Sequence, residues 1–167
     1  MNKLFLDNIS EEIERCLNIH CDLCDQEFIK DLLVSNKITS MYPMISYEST
    51  NDSDIEVTPD ESRFLNDESY KDNWIVVYND DAEDICLIQL TDHNTKTIEI
   101  SVFEMCEQKR GFGYARDILD FFEWFLFNFY EEIVISPFDT DAMNFWSHRG
   151  YINNNNGLYI KQREDED

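Results

Sequence analysis

The feature that most constrains the fold is a strand–helix–strand pattern in the second half of the chain. Thr97–Met105 alternates in polarity, as a half-buried strand does. Residues 115–129 carry apolar side chains at i, i+3, i+4 and i+7, which predicts an amphipathic helix. Residues 133–135 are an unbroken apolar run, as expected of a strand buried on both faces. Because the three segments form a βαβ unit, residues 97–105 and 133–136 are predicted to be parallel neighbours.

Further elements surround this unit. The predicted elements are, in order, strands at residues 74–78, 85–90 and 97–105, a helix at 115–129, a strand at 133–136, a helix at Thr140–His148 and a hairpin of 151–152 with 158–161. Short turns at residues 79–81 and 92–94 make the first three strands an antiparallel meander. In the third strand, the predicted faces are Ile98, Ile100 and Val102 on one side and Glu99, Ser101, Phe103 and Met105 on the other. The predicted class is therefore α+β with a mixed central sheet.

The N-terminal part has a weaker pattern. Residues 9–34 are predicted as two short amphipathic helices, with Asn8 and Ser10 as candidate N-caps and Glu11 as a capping-box partner. Residues 47–73 are rich in Asp, Glu, Asn and Ser. They are predicted to form a long acidic loop with a helical turn near residues 62–65.

The charge balance narrows the partners. The chain has 36 acidic and 13 basic residues and a formal net charge of −23. Such a surface repels phosphate backbones, so nucleic acid is not an expected partner. It attracts cations such as polyamines, aminoglycosides and basic peptides, although the same charge also serves solubility alone.

The cysteines and the apolar segments indicate a compartment. The chain has 5 cysteines and begins without a secretory segment, and its longest apolar stretch is too short to span a bilayer. We therefore expect a cytoplasmic protein with reduced thiols and no membrane partner. Cys16, His20, Cys21 and Cys24 resemble half of a zinc site, but no second ligand pair follows, so core cysteines are the preferred interpretation and no metal is expected. Cys106 is a candidate nucleophile, but no histidine is close to it in the sequence, so it is also interpreted as a core cysteine.

The candidate binding segment joins the alternating strand to the aromatic helix. Its sequence is Gln108-Lys109-Arg110-Gly111-Phe112-Gly113-Tyr114-Ala115, followed by Arg116. Two glycines allow a sharp turn and a close approach of the backbone to a ligand. The N–H groups that open the helix favour an anion, and three basic side chains lie beside them. In so acidic a chain, this is where a phosphate is expected to bind.

Two motifs here resemble those of the GNAT superfamily of N-acetyltransferases. Gln108-x-x-Gly111-x-Gly113 resembles the family's acetyl-CoA loop. Ala142-x-x-Phe145-Trp146-x-x-x-Gly150-Tyr151 resembles its Ala-x-x-Phe-Tyr-x-x-x-Gly-Phe segment, with Trp146 where many members have tyrosine. The resemblance covers residues 74–161. It implies one domain over residues 1–163, with residues 1–73 on the acceptor side, a cofactor-binding core at 74–161 and a disordered acidic tail at 164–167.

The resemblance also implies roles for individual residues. Acetyl-CoA is the implied co-substrate, with its pyrophosphate on the backbone of the glycine loop and its pantetheine arm where the two parallel strands splay apart. The implied cofactor-binding residues are Phe103, Glu104, Met105, Gln108, Lys109, Arg110, Gly111, Phe112, Gly113, Tyr114, Ala115, Arg116, Asp139, Phe145 and Trp146. Glu99 is the implied base, directly or through water, and the alternative interpretation is a solvated glutamate on the strand. Because an indole cannot protonate a thiolate, Tyr159 is the candidate acid, with Tyr114 and Tyr151 as alternatives and an unprotonated leaving thiolate as the preferred outcome.

Three functions follow from these observations. The first is an enzyme that acetylates a primary amine, with a cationic small molecule or a basic peptide as acceptor. The second is a binding module that holds acyl-CoA with little catalysis, which Trp146 suggests. The third is an acidic protein that mimics nucleic acid, which accounts for the charge but not for the basic glycine loop. The oligomeric state stays open, with a homodimer as one alternative.

Overall fold

The computed structural model describes residues 3–24, 28, 31–32, 35, 47–49, 55–57 and 74–164. The elements are α1 (Lys3–Leu17), β1 (Ile19–Leu23), β2 (Tyr47–Ser49), β3 (Ile55–Val57), β4 (Trp74–Asn79), β5 (Asp84–Asp92), β6 (Thr97–Met105), a 3-10 turn (Glu107–Lys109), α2 (Tyr114–Leu126), β7 (Glu132–Ile135), α3 (Thr140–His148), β8 (Ile152–Asn153) and β9 (Tyr159–Gln162).

A mixed sheet organises these elements. Seven strands lie in the order β1-β4-β5-β6-β7-β9-β8, and β2 pairs with β3 in a separate two-stranded ribbon. Among the described strands of the large sheet, only β6 and β7 are parallel, and α2 connects them. The structure thus confirms the predicted α+β class, the antiparallel meander of β4, β5 and β6, the βαβ unit and the closing hairpin.

The sheet carries apolar side chains on both faces. The larger cluster includes Ile75, Ile88 and Ile98 of the sheet and is covered by α1 and α2. Phe5 of α1 packs edge-on against Phe125 of α2, with ring centroids 5.6 Å apart. A smaller cluster on the opposite face contains Trp74, Val76, Leu87 and Val102, packed against Cys24 and Leu32. Alternation along each strand separates the two clusters.

The prediction of two helices over residues 9–34 is wrong in its second half. Helix α1 ends at Leu17, and Asn18 follows with a positive φ of 52°. Asparagine tolerates this conformation better than most residues, so it can end the helix. The next residues form β1, in which Ile19 and Cys21 are buried and which pairs antiparallel with β4. Asn8 and Ser10 lie within α1 and are therefore not N-caps.

The acidic segment at residues 47–73 is also not a loop throughout. Tyr47–Ser49 and Ile55–Val57 pair as an antiparallel ribbon, which the polar composition did not predict. The helical turn predicted near residues 62–65 and most of the tail predicted at 164–167 lie outside the described residues.

A β-bulge in β6 corrects the predicted faces of that strand. Gln89 pairs with Val102, whereas the next residue, Leu90, pairs with Ile100, so Ser101 is the extra residue. Beyond it the faces exchange. Ile98, Ile100, Phe103 and Met105 pack with the larger cluster, and Val102 packs with the smaller one. The uninterrupted alternation predicted for this strand is therefore wrong.

Candidate functional site

The candidate site begins where β6 and β7 part. Their parallel pairing includes only Thr97, Ile98 and Glu99 on β6, although β6 continues to Met105. A cavity of about 310 Å³ lies beyond the paired segment. It is lined by Ile100, Ser101, Phe103, Glu104, Met105, Arg110, Ala115, Ile135, Ser136, Pro137, Phe138, Asp139, Asp141, Ala142, Phe145 and Trp146. The predicted splay between the two parallel strands is thus confirmed, and the cavity opens at their carboxyl ends.

The glycine loop forms one end of this site. Gly111 has φ 81°, and Gly113, the residue that caps α2, has φ 86°. The first backbone bond into the helix runs from the Asp117 N–H to the Gly113 carbonyl, at 3.2 Å. The N–H groups of residues 114–116 precede that bond, at the positive end of the helix dipole. This arrangement suits an anion such as a phosphate.

The three basic residues of the loop differ in their partners. Lys109 Nζ lies 2.6 Å from Glu83 Oε2, and Arg116 Nε lies 3.0 Å from Asp117 Oδ1. Neither side chain lines the cavity, but Arg110 does. Among the described residues that line the cavity, Arg110 is the one basic side chain. Of the three basic side chains expected beside the phosphate, the structure therefore places Arg110 in the cavity wall, and Lys109 and Arg116 do not line it.

Glu104 is a buried carboxylate in the cavity wall. It is 8% exposed, and its Oε1 accepts a hydrogen bond of 3.1 Å from Arg110 Nη2. Burial raises the pKa of Glu104 to about 7, with Arg110 opposing the rise and Asp139 adding to it. The resemblance had implied only a cofactor-binding role for this residue. Its signal in the sequence was its spacing, because Glu104 continues the every-second-residue series of Ile98, Ile100 and Val102 with a charged side chain.

Helix α3 forms the opposite wall. Asp139 caps it, since its Oδ1 accepts a hydrogen bond of 2.7 Å from the Ala142 N–H. Trp146 is 7% exposed and packs edge-on against Phe103 and Tyr151, with centroids 6.2 and 5.1 Å away. The indole therefore packs between α3 and the sheet and presents no acidic hydroxyl to the cavity. Phe145 also lines the cavity.

The two predicted catalytic residues lie elsewhere. Glu99 Oε2 is 2.6 Å from His93 Nε2, and Glu99 is not among the residues that line the cavity. Tyr159 lies on β9 opposite Ile135 and is buried in the larger apolar cluster. Of the remaining loop residues, Gln108 is exposed in the 3-10 turn and Phe112 is 75% exposed. Of the predicted cofactor residues, Phe103, Glu104, Met105, Arg110, Ala115, Asp139, Phe145 and Trp146 line the cavity, and the other residues of the loop do not. The predicted base and acid, Glu99 and Tyr159, do not line it either.

The cysteines that suggested half of a zinc site lie in different parts of the fold. Cys16 is exposed near the end of α1, Cys21 is buried in β1, and Cys24 is buried beyond that strand. His20 Nε2 lies 2.8 Å from Asp80 Oδ1. Within the described ranges, no group of three His, Cys, Asp or Glu side chains is arranged to hold a metal ion. In the same part of the chain, no helix is both long and apolar enough to cross a membrane.

Comparisons with known proteins bear on the fold. No protein-family model matches the chain, and no curated protein sequence matches it significantly. Solved structures do match. A GNAT acetyltransferase from Staphylococcus aureus superposes with a TM-score of 0.57 at 14% identity, covering 87% of this chain and 99% of that one. The chain has the GNAT fold.

Two further structures with this fold are informative. A variant of the spermidine N-acetyltransferase SpeG from Vibrio cholerae gives a TM-score of 0.56 at 16% identity, covering 87% of this chain and 94% of that one. A GNAT acetyltransferase from Elizabethkingia anophelis, solved with acetyl-CoA bound, gives 0.51 at 12% identity, covering 88% and 99%. At these identities the likeness establishes the GNAT architecture, and activity has to be argued from the site.

Proposed function

We propose that this protein is an acetyl-CoA-dependent N-acetyltransferase. The observation that supports the proposal most directly is the cavity between β6 and β7, with the N-terminus of α2 at one end of it. An extended ligand that carries phosphate groups fits this combination of an exposed strand edge and a helix N-terminus.

The residues present suit such a cofactor. The N–H groups of residues 114–116, with Arg110 beside them, would hold the pyrophosphate, and the backbone of Phe103, Glu104 and Met105 would hold the pantetheine arm. When bound, acetyl-CoA supplies an acetyl group activated as a thioester. Phe103, Trp146 and Ile135 give part of the cavity wall an apolar surface.

The proposed acceptor is a cationic primary amine. The chain has a net charge of −23, and the cavity wall contains the carboxylates of Glu104, Asp139 and Asp141. One structure with the same fold is named as a spermidine N-acetyltransferase, which is an example of this acceptor class. Surface and cavity charge therefore both favour a positively charged acceptor.

A matched pair of glycine variants tests cofactor binding. Gly111 in the loop and Gly157 in the C-terminal hairpin both have positive φ, 81° and 82°, and a Cβ at either one meets open space. An aspartate at either position therefore causes similar backbone strain. Only the substitution in the loop would place a negative charge where the pyrophosphate is expected, so Gly111→Asp should abolish acetyl-CoA binding in calorimetry and Gly157→Asp should not. Equal affinities in the two variants would contradict the proposed site.

A second assay separates an enzyme from a cofactor-binding module. Trp146 in place of tyrosine is the observation that favours the module, because a tryptophan cannot protonate the leaving thiolate. A thiol of pKa about 8.5 is nevertheless a fair leaving group near neutral pH. We expect thiol release from acetyl-CoA with spermidine or another primary amine present. Binding of acetyl-CoA without release for any amine would establish the module instead.

A further inference from the structure

The Arg110 side chain occupies atoms that the proposed cofactor needs. Its Nε and Nη2 donate to the Met105 carbonyl at 3.3 and 3.2 Å, and Nη2 also donates to Glu104 Oε1 at 3.1 Å. Met105 ends β6, the strand whose edge the pantetheine arm would use. The guanidinium thus bridges the strand end and the buried carboxylate.

The charges around Glu104 are unbalanced. The charged groups that act on it are Arg110 from the loop and Asp139 from the start of α3, and Asp141 lines the same cavity. Its partner across β5 is the apolar Leu87, and α2 contributes Ala115 to the wall. A cofactor with several negative charges would meet three carboxylates in the cavity wall. Arg110, the one basic side chain among the described residues of that wall, is already paired with Glu104. Binding is therefore favoured if Arg110 turns from Glu104 to the phosphates, since arginine binds phosphate well.

We propose that Arg110 is exchanged between two partners: it pairs with Glu104 in the cofactor-free protein and with the pyrophosphate of acetyl-CoA in the complex, and the released Glu104 carboxylate receives the ammonium group of the acceptor. This inference rests on the proposed function. It gives the preference for a cationic acceptor a specific residue in the cavity.

The exchange has a measurable proton linkage. With Arg110 beside it, Glu104 has a raised pKa of about 7, caused mainly by burial. Loss of the arginine removes the group that opposes this rise, so the pKa increases further and Glu104 takes up a proton near pH 7.5. The ammonium group of the acceptor favours the ionised form again, so Glu104 releases this proton when the acceptor binds. Acetyl-CoA affinity should then fall as pH rises above 7, by at most about tenfold per pH unit.

Calorimetric titration of acetyl-CoA at pH 7.5, in two buffers of different ionisation enthalpy, measures this uptake. The wild-type protein should take up a fraction of a proton, at most about one. Glu104→Gln should abolish the uptake and bind acetyl-CoA at least as tightly, because it removes the competing partner of Arg110. Asp141→Asn removes another carboxylate of the same wall and should keep the uptake. Proton linkage of the phosphates themselves is present in all three proteins and cancels in the comparison.

The outcomes distinguish the two proposals. If the wild-type protein does not bind acetyl-CoA, the proposed function fails. If it binds with equal proton uptake in the wild-type and Glu104→Gln proteins, the function stands and the exchange is wrong. Initial rates give a second readout: Glu104→Gln should raise the KM for spermidine at least tenfold. An unchanged KM, in a variant whose melting temperature matches the wild type, would overturn the acceptor role of Glu104.

Discussion

At the residue scale, two buried side chains have polar atoms without a hydrogen-bond partner among the described residues. Gln89 is 0% exposed, and neither its Oε1 nor its Nε2 has a hydrogen-bond partner among the described residues. Trp74, on the neighbouring strand β4, pairs with Gln89. Its indole N–H is also buried, and it has no hydrogen-bond partner among the described residues. An unpaired buried polar group costs about 1–3 kcal/mol. Both groups lie on the strands that precede the bulge in β6.

Replacing Gln89 with leucine should therefore stabilise the protein. Gln89→Leu keeps a side chain of similar size and removes two unpaired polar atoms. We expect the free energy of unfolding to increase by about 1 kcal/mol, or Tm by about 2–4 °C for a domain of this length. Urea denaturation measures the change, with Gln162→Leu on the exposed end of β9 as a control for the same substitution at the surface. A loss of stability at position 89 would mean that the amide does have a partner.

At the element scale, a buried carboxylate joins α2, the end of α3 and β9. Glu123 of α2 is 5% exposed and accepts hydrogen bonds from Arg149 Nε at 3.1 Å, Lys161 Nζ at 2.6 Å and the Tyr151 hydroxyl at 3.2 Å. Burial and the nearby Glu123 carboxylate raise the pKa of Tyr151, so its hydroxyl stays protonated as a donor. Arg149 also bonds to Asp120 on the next turn towards the start of α2, at 2.8 Å.

Glu123 and Asp120 share Arg149, but they should contribute unequally to the free energy of unfolding. Glu123→Gln leaves two cations without their buried counter-charge and should cost about 3 kcal/mol of unfolding free energy. Asp120→Asn removes a partner whose side chain is 61% exposed, and exposed pairs contribute about 0–1 kcal/mol. Thermal denaturation of both variants tests this order. Similar small losses in the two would show that the cluster does not hold α3 and the hairpin to α2.

At the scale of the whole molecule, the net charge of −23 creates a field that attracts cations. If this field steers the acceptor, kcat/KM for spermidine should decrease as salt increases from about 0.02 to 0.5 M, because the Debye length becomes shorter. A neutral primary amine provides the control, and its rate should depend little on salt. The same salt dependence for both acceptors would assign the surface charge to solubility alone.

The amino-acid sequence by itself determined most of the elements of residues 74–161. The limits of β6 and α3 were predicted without error, and β4, β5, α2 and β7 to within a few residues. These elements have strong periodicity and clear turn or glycine signals, which depend on neighbours a few positions away. The glycine loop could be predicted for the same reason, because its turn, the start of its helix and its basic side chains are adjacent in the chain.

The tertiary structure decided the features that depend on distant partners. β1 is a strand because it pairs with β4 across more than fifty intervening residues, and that pairing overrode a helical pattern. The bulge at Ser101 comes from the register between β5 and β6, and it moved Val102 to the other face. Glu104 became a buried carboxylate because the loop and α3 converge on it. Burial is a property of the packed fold, so the pKa of this carboxyl could not be determined from local sequence.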